Sequence, residues 1–184
     1  MILRSLLTGH PKRALKQARF WHILRGNQNL RLHIGCGQRR LEGFINIDRN
    51  LSAATDFISD SKHLPCRDNS VERIETYHLI EHIPRPDIGQ VFAEWRRVLK
   101  TGGVLVIECP DFDTAVRRYV AGDQGMLFSV FGRHRFPGDE HSWGYSASSL
   151  MTMVENQGFS GTLCAPTDYH KHTEPCLRIE CKKC

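Results

Sequence analysis

The 184-residue sequence predicts an α/β fold: a doubly wound, mostly parallel seven-stranded sheet with a reduced first helix and an antiparallel closing strand. Three observations predict it. Short apolar runs rich in β-branched residues alternate with a helix-period segment from residue 31 onward. A turn of the form Gly35-Cys36-Gly37 stops the first of those runs, yet the next run starts too soon for a helix of normal length. The chain also ends in two strand-like runs that can pair as a hairpin.

The elements follow in order. Residues 32–34 form a short apolar strand halted by glycine, and 44–47 a second with alternating β-branched positions. Residues 56–59 and 71–79 read as a third and a fourth. The helix expected over Pro86–Lys100 carries Ile88, Val91, Phe92, Trp95, Val98 and Leu99 at three- and four-residue steps, hence on one face. Pro86 suits its first turn, and Thr101-Gly102-Gly103 is expected to end it. Residues 104–108 are nearly all apolar, as a central strand buried on both faces requires. A last helix is expected over Ala147–Gln157, capped by Ser146 and stopped by Gly158, before closing strands at 159–165 and 176–182.

Charge divides the chain. Residues 1–41 hold nine Lys or Arg and no acid, whereas the remaining 143 hold 16 basic and 20 acidic groups. Residues 1–30 therefore read as a basic arm or peripheral helix, 31–184 as the main domain, and 111–145 as an insertion on its binding side. A basic leader of this kind packs on the domain, lies on an anionic membrane surface or stays solvated. Its apolar stripe is poorly formed, so membrane-surface contact ranks second. Nucleic acid is not expected, because no aromatic–basic interleaving accompanies the charge.

No run approaches the ~18 apolar residues of a membrane span. The opening MILRSLLTGHPKR is too short in apolar residues for a signal peptide, so a cytoplasmic location is expected. Seven cysteines, an odd number scattered through strand-like segments, do not make a disulfide framework. The terminal Cys181-x-x-Cys184 lacks the second pair that a four-ligand zinc site needs, so no metal is expected.

Ligands of open parallel sheets bind at the carboxyl ends of the strands, near the point where strand order reverses. Gly35, Cys36 and Gly37 occupy one such end, where glycine lets the backbone approach a ligand and aim N–H groups at it. Asp48 ends the second strand and can accept both hydroxyls of a ribose. Asp60 ends the third, placed for a base or its exocyclic amine. A dinucleotide fingerprint wants a third glycine, a helix and an acid about 20 residues on. Here Arg40 and Leu41 follow the glycines, and Asp48 comes only 11 residues after Gly37. A pyrophosphate would have no helix N-terminus to sit on. The spacing favours a cofactor with ribose and base but no phosphates.

These motifs, LHIGCG, INID, SDSKHLPCRDNSVERI, YHLIEHI and EWRRVLKTGG, follow one another as in a known family. The chain resembles the class I S-adenosylmethionine-dependent methyltransferases, with their Rossmann-like fold, and within them the compact type-11-like group. The resemblance covers about residues 31–183. It departs from the family pattern at Thr101, where proline is usual, and at Cys66, where an aromatic residue is usual. It implies S-adenosylmethionine as cofactor, with Gly35–Gly37 beside the methionine part and Asp48 on the ribose. Asp60 with Ser61 or the Lys62 backbone would meet adenine, and Tyr77 and His78 would flank the sulfonium and the acceptor. It also implies methyl transfer to a small-molecule or glycan-linked acceptor, at oxygen.

A hydroxyl acceptor needs a base. His82, within Glu81-His82, is one candidate, against the ordinary alternative of a packed histidine. His141 is the first choice. It lies in MLFSVFGRHRFPGDEHSWGY, residues 126–145, whose five aromatics, His134, Asp139 and Glu140 suit a lid or acceptor wall. The alternative is a folded-back loop whose aromatics complete the core. Two other functions stay open at this point: a non-catalytic cofactor-binding or scaffold domain, and an NAD-dependent oxidoreductase, which the short loop disfavours.

Overall fold

The computed structural model describes residues 11–167 and 174–184. What the sequence suggests for residues 1–10 lies outside the described residues. In chain order the elements are α1 (Pro11–Gly26), β1 (Leu30–Ile34), β2 (Ile45–Asp48), β3 (Phe57–Ile58), β4 (Val71–Tyr77), α2 (Ile88–Val98), β5 (Leu99–Pro110), α3 (Phe112–Val120), α4 (Leu127–Phe131), α5 (Ala147–Asn156), β6 (Phe159–Cys164) and β7 (Cys176–Lys183). Short 3-10 turns cover Ile80–His82 and Arg85–Asp87.

One sheet of seven strands runs β3-β2-β1-β4-β5-β7-β6. The first five are mutually parallel, and β7 is antiparallel to both β5 and β6. The chain moves outward from β1 to β3, then crosses back to β4. Strand order therefore reverses between β1 and β4, which puts the exits of those two strands at the switch point.

The sheet's two faces differ. Leu32, Ile74, Leu105 and Cys181 form one row across β1, β4, β5 and β7, all in the apolar core. The core also takes Phe92 and Trp95 from α2, Leu150 and Val154 from α5, and Phe159. Ring contacts Phe92–Trp95 (5.3 Å) and Phe92–Phe159 (6.1 Å) lock that layer together. On the opposite face the adjacent row reads Asn46, His33, Glu75, Val106, Glu180. Its charges are paired: Arg73 bonds both Glu75 (2.5 Å) and Glu180 (3.1 Å).

Polar partners do the work of a missing helix. Between β1 and β2 the chain makes only turns, so the expected reduction of the first helix is complete. Asn46, fully buried, accepts the Leu41 N–H (2.8 Å) and donates to the carbonyls of Leu41 (3.2 Å) and Phe44 (3.0 Å). Asp56 then bonds the Asn46 N–H (3.1 Å) and the Arg40 guanidinium (2.8 Å). Helix α1 closes the outer edge. The Gln17 amide donates to Asp56 O (3.2 Å) and accepts from Ile58 N (2.9 Å), standing in for a neighbouring strand along β3. Leu24 of the same helix is wholly buried in the core, so α1 is part of the body rather than a loose arm.

Two expected boundaries shift. The helix foreseen over 86–100 is α2 and ends at Val98, because Leu99 already pairs with Val71 on β4. The next pairing joins Arg73 to Val104, so Lys100–Gly103 form a bulge inside β5 instead of a helix stop. Helix α3 falls within the segment read as an insertion. Asp111 caps it, accepting from the Thr114 N–H (3.3 Å) and hydroxyl (2.5 Å). Helix α5 begins as foreseen at Ser146, in a reciprocal capping box with Ser149.

Candidate functional site

The exits of β1, β2 and β4 meet at one edge of the sheet. Gly35 and Gly37 adopt left-handed backbone, with φ of 75° and 52°. A Cβ on Gly35 would stand 2.9 Å from Leu79 Cβ, so the exit of β4 leaves no room for a side chain there. At Gly37 the same direction is open, with nothing within 4 Å. One glycine permits close packing, and the other leaves space above the loop.

The hydrogen bonding corrects one expectation. None of the three N–H groups of this loop is left for a ligand. Gly35 and Cys36 both donate to Ile47 O (2.9 and 3.2 Å), and Gly37 donates to Asp48 Oδ2 (2.8 Å). Cys36 turns its side chain inward against Thr55, and burial pushes its thiol up to about 11 despite that contact. It offers the site backbone only. Asp48 is the half-buried end of this arrangement. Its other oxygen accepts the Asn50 N–H (2.7 Å), so the backbone fills two of the roughly four acceptor positions of a carboxylate. Two hydroxyls fit the remainder.

Asp60 begins the turn after β3, where its Oδ1 accepts the Lys62 N–H (2.9 Å), and Ser61 lies half-buried beside it. Tyr77 is placed differently from the expectation. The residue is buried and its hydroxyl donates to Glu75 Oε2 (2.6 Å), on the polar face of the sheet. The phenol therefore does not stand at the strand exit beside His78. His78 does stand there, in left-handed backbone (φ 52°). Its Nδ1 donates to Glu81 Oε1 (3.1 Å) and its Nε2 meets Cys176 Sγ (3.6 Å). Burial works against the imidazolium of His78, but Cys176 and Glu81 raise its pKa above the ordinary value.

Beyond His78 the chain turns through Ile80–His82, and the 126–145 segment is pinned onto that turn. Glu81 O accepts the N–H of Ser142 (2.7 Å) and of Trp143 (3.2 Å). The segment folds back at Gly132 (φ 82°), where a Cβ would meet Asp139 O at 2.3 Å. Arg135 and Asp139 (2.8 Å) tie the turn. These contacts bring His141 to His82 across 59 positions of sequence, ring centroids 5.0 Å apart and edge to face.

The two rings share a tautomer. His82 Nδ1 faces Glu140 O (2.9 Å) and His141 Nδ1 faces Ser129 O (3.1 Å). A carbonyl only accepts, so each Nδ1 carries a proton and each neutral ring has its lone pair on Nε2. Burial holds His141 below the ordinary histidine pKa, although the Glu81 carboxylate opposes this. Glu81 is 1% exposed. Burial disfavours its ionised form, yet His78 and the neighbouring histidines hold its pKa below the ordinary value. Ligand atoms of Glu81, His82 and His141 all lie within 4.8 Å of one another. Sequence reasoning had singled out both histidines but gave Glu81 no role. Only the E-H pair itself signalled it.

Of the five aromatics in the 126–145 segment, Tyr145 alone joins the core. Phe128, Phe131, Phe136 and Trp143 are 53%, 58%, 52% and 45% exposed. They do not complete the core; Phe128, Phe136 and Trp143 each carry an arginine guanidinium over the ring, from Arg133, Arg135 and Arg85.

Comparison with known proteins agrees with this architecture. Residues 42–107 match the family model described as a methyltransferase domain. An uncharacterised 37.1 kDa protein of a Streptomyces fradiae transposon is 34% identical over 86 residues, 47% of this chain and 24% of its own length. The chain thus spans about a quarter of that relative. Among solved structures, a Burkholderia thailandensis 1,6-didemethyltoxoflavin N1-methyltransferase with bound S-adenosylhomocysteine superposes with a TM-score of 0.60 at 13% identity, over 99% of this chain and 82% of its own. An S-adenosylmethionine-dependent methyltransferase from Methanosarcina mazei gives 0.58 at 13%, over 96% and 99%. Another from Thermotoga maritima, a possible histamine N-methyltransferase, gives 0.56 at 16%, over 92% and 88%.

Proposed function

With a class I, type-11-like methyltransferase domain as its body, this chain, we propose, binds S-adenosylmethionine and transfers its methyl group to an oxygen of a small-molecule or glycan-linked acceptor. The observation that carries the cofactor half is Asp48. It ends β2 with two acceptor positions to spare, bonded to a glycine turn whose open side faces out. That suits a ribose. No helix follows the glycines, so a pyrophosphate cofactor would lack its usual partner.

Asp60 with Ser61 or the Lys62 backbone is assigned to adenine, Gly35–Gly37 to the methionine part, and His78 to the edge of the sulfonium. The methyl group arrives already activated, so the protein chiefly aligns an in-line displacement. The acceptor oxygen is activated at His82 and His141, whose Nδ1 protons are held by backbone carbonyls, leaving the Nε2 lone pairs to take a proton or hold an electrophile. The exposed aromatics of the 126–145 segment supply an apolar wall for the acceptor. Among the described residues no helix is long and apolar enough to cross a membrane. Contact with an anionic membrane surface through the basic leader, residues 1–30, is part of this proposal.

Calorimetry tests the reading. S-adenosylhomocysteine should bind with one site per chain and NADH should not. Binding of NADH alone would support the oxidoreductase reading, and binding of neither a scaffold.

A further inference from the structure

We propose that Glu81, His82 and His141 form a binding site for one divalent transition-metal ion of the zinc class. Two histidines and one carboxylate, with an open position, are a common donor set for zinc in catalytic sites and for non-haem iron. Calcium and magnesium prefer all-oxygen sets, so the two imidazoles argue against them.

Three observations support an ion rather than a packed cluster. The candidate ligand atoms already lie within 4.8 Å of one another, close enough to share one ion after small side-chain rotations. Each imidazole gives its Nδ1 proton to a backbone carbonyl, Glu140 O at 2.9 Å or Ser129 O at 3.1 Å, which fixes the tautomer with a bare Nε2. Metal-binding histidines are supported in this way. Most telling is Glu81. Its Oε1 is held by His78 Nδ1 at 3.1 Å, while its Oε2 is buried with no hydrogen-bond partner among the described residues. A buried carboxylate oxygen without a partner is expensive, and neither neighbouring histidine can satisfy it while its proton sits on Nδ1. A cation would satisfy all three groups at once. The sequence offers no such cluster, because its ligands are one adjacent pair and a residue 59 positions away.

The use of the ion rests on the methyltransferase reading. In the open position it would take the acceptor's hydroxyl oxygen and lower its pKa, so that the O–H proton leaves to water. The oxygen's electron pair then forms the O–CH3 bond as the S–CH3 bond breaks. That bond's pair stays on sulfur, which becomes a neutral thioether. His82 and His141 act there as ligands, and His78 positions Glu81.

The test uses the whole chain, stripped with a chelator and titrated with Co2+ and then Zn2+. Visible absorption, calorimetry and elemental mass spectrometry report on the metal, and S-adenosylhomocysteine affinity is measured on the same samples. One Co2+ per chain with ligand-field bands, displaced by Zn2+, is the expected result. His141→Ala and His82→Ala should each weaken Zn2+ by more than the ~10–100-fold that loss of a mere supporting partner costs. His141→Cys should retain binding with a changed spectrum, and Cys184→Ser should leave it unchanged. The proposal is overturned if no stoichiometric ion binds. It is equally overturned if both alanine variants bind as the parent does while keeping S-adenosylhomocysteine affinity, or if Cys184→Ser abolishes binding. Metal binding without S-adenosylhomocysteine binding would leave this site standing and remove the methyltransferase reading instead.

Discussion

Gly37 donates its backbone N–H to Asp48 Oδ2 at 2.8 Å, tying the turn after β1 to the end of β2. The bond joins the two features that a nucleoside cofactor would touch. It also explains how a loop of turns keeps its shape without a helix behind it. Asp48 orients the glycine turn, and in the proposed reading it also presents acceptors to the ribose.

Replacing Asp48 removes both. Asp48→Ala should weaken S-adenosylhomocysteine by about 10- to 100-fold, matching the ~1.5–3 kcal/mol of hydrogen bonds to a charged acceptor. Asp48→Asn should lie between, since one amide oxygen can still accept. Calorimetry checks this, and equal affinity in the alanine variant would remove the ribose assignment.

Asn46 replaces the tertiary support of the absent helix. Asn46→Ala would strand the Leu41 N–H and two carbonyls inside the protein. A loss of about 2–4 kcal/mol is expected, from the ~1–3 kcal/mol cost of each unsatisfied buried group after partial relaxation. Urea unfolding measures it. A change under ~0.5 kcal/mol would show that the network does not hold the loop.

The same network carries a pH signature. Burial alone would raise the Asp56 pKa, but bonds from Arg40 and Asn46 hold it below the ordinary value. A depressed carboxylate contributes stability above its unfolded pKa of about 3.9, and that stability is lost as pH falls through the folded pKa. Unfolding midpoints should therefore drop below about pH 4, and Arg40→Met should make the drop shallower. An identical acid profile in the variant would contradict the assignment.

Gly132 governs the fold-back that carries His141. At φ 82°, with a Cβ position 2.3 Å from Asp139 O, alanine cannot be accommodated without backbone movement. Gly132→Ala should speed proteolysis within residues 126–145 and leave S-adenosylhomocysteine affinity within about twofold of the parent. Unchanged cleavage would mean the segment is not hinged there.

How much of this was legible in the sequence follows locality. The strands were readable because apolar residues alternate or run together. Helices α2 and α5 were readable from a one-sided stripe and from Ser146. Helix α3 was not assigned, because nine residues with a single cap, Asp111, give little periodicity. The bulge at Lys100–Gly103 looked like a helix stop, since glycines serve both purposes. The place of Asp48 at the end of β2 was legible, whereas the network around Asn46, two residues earlier, was hidden inside an apolar strand. Tyr77 was misplaced because a strand alternates faces, and its phenol follows Glu75 onto the polar side. The pairing of His82 with His141 depends on backbone bonds from Ser142 and Trp143 to Glu81, which no local pattern encodes.

The central claim is that this glycine turn and Asp48 hold an adenosyl cofactor without phosphates. Titration of the parent chain with S-adenosylhomocysteine and with NADH, side by side in one calorimeter, addresses it most directly. The account predicts one-site binding of S-adenosylhomocysteine and no heat from NADH. Saturable NADH binding with none from S-adenosylhomocysteine would contradict it.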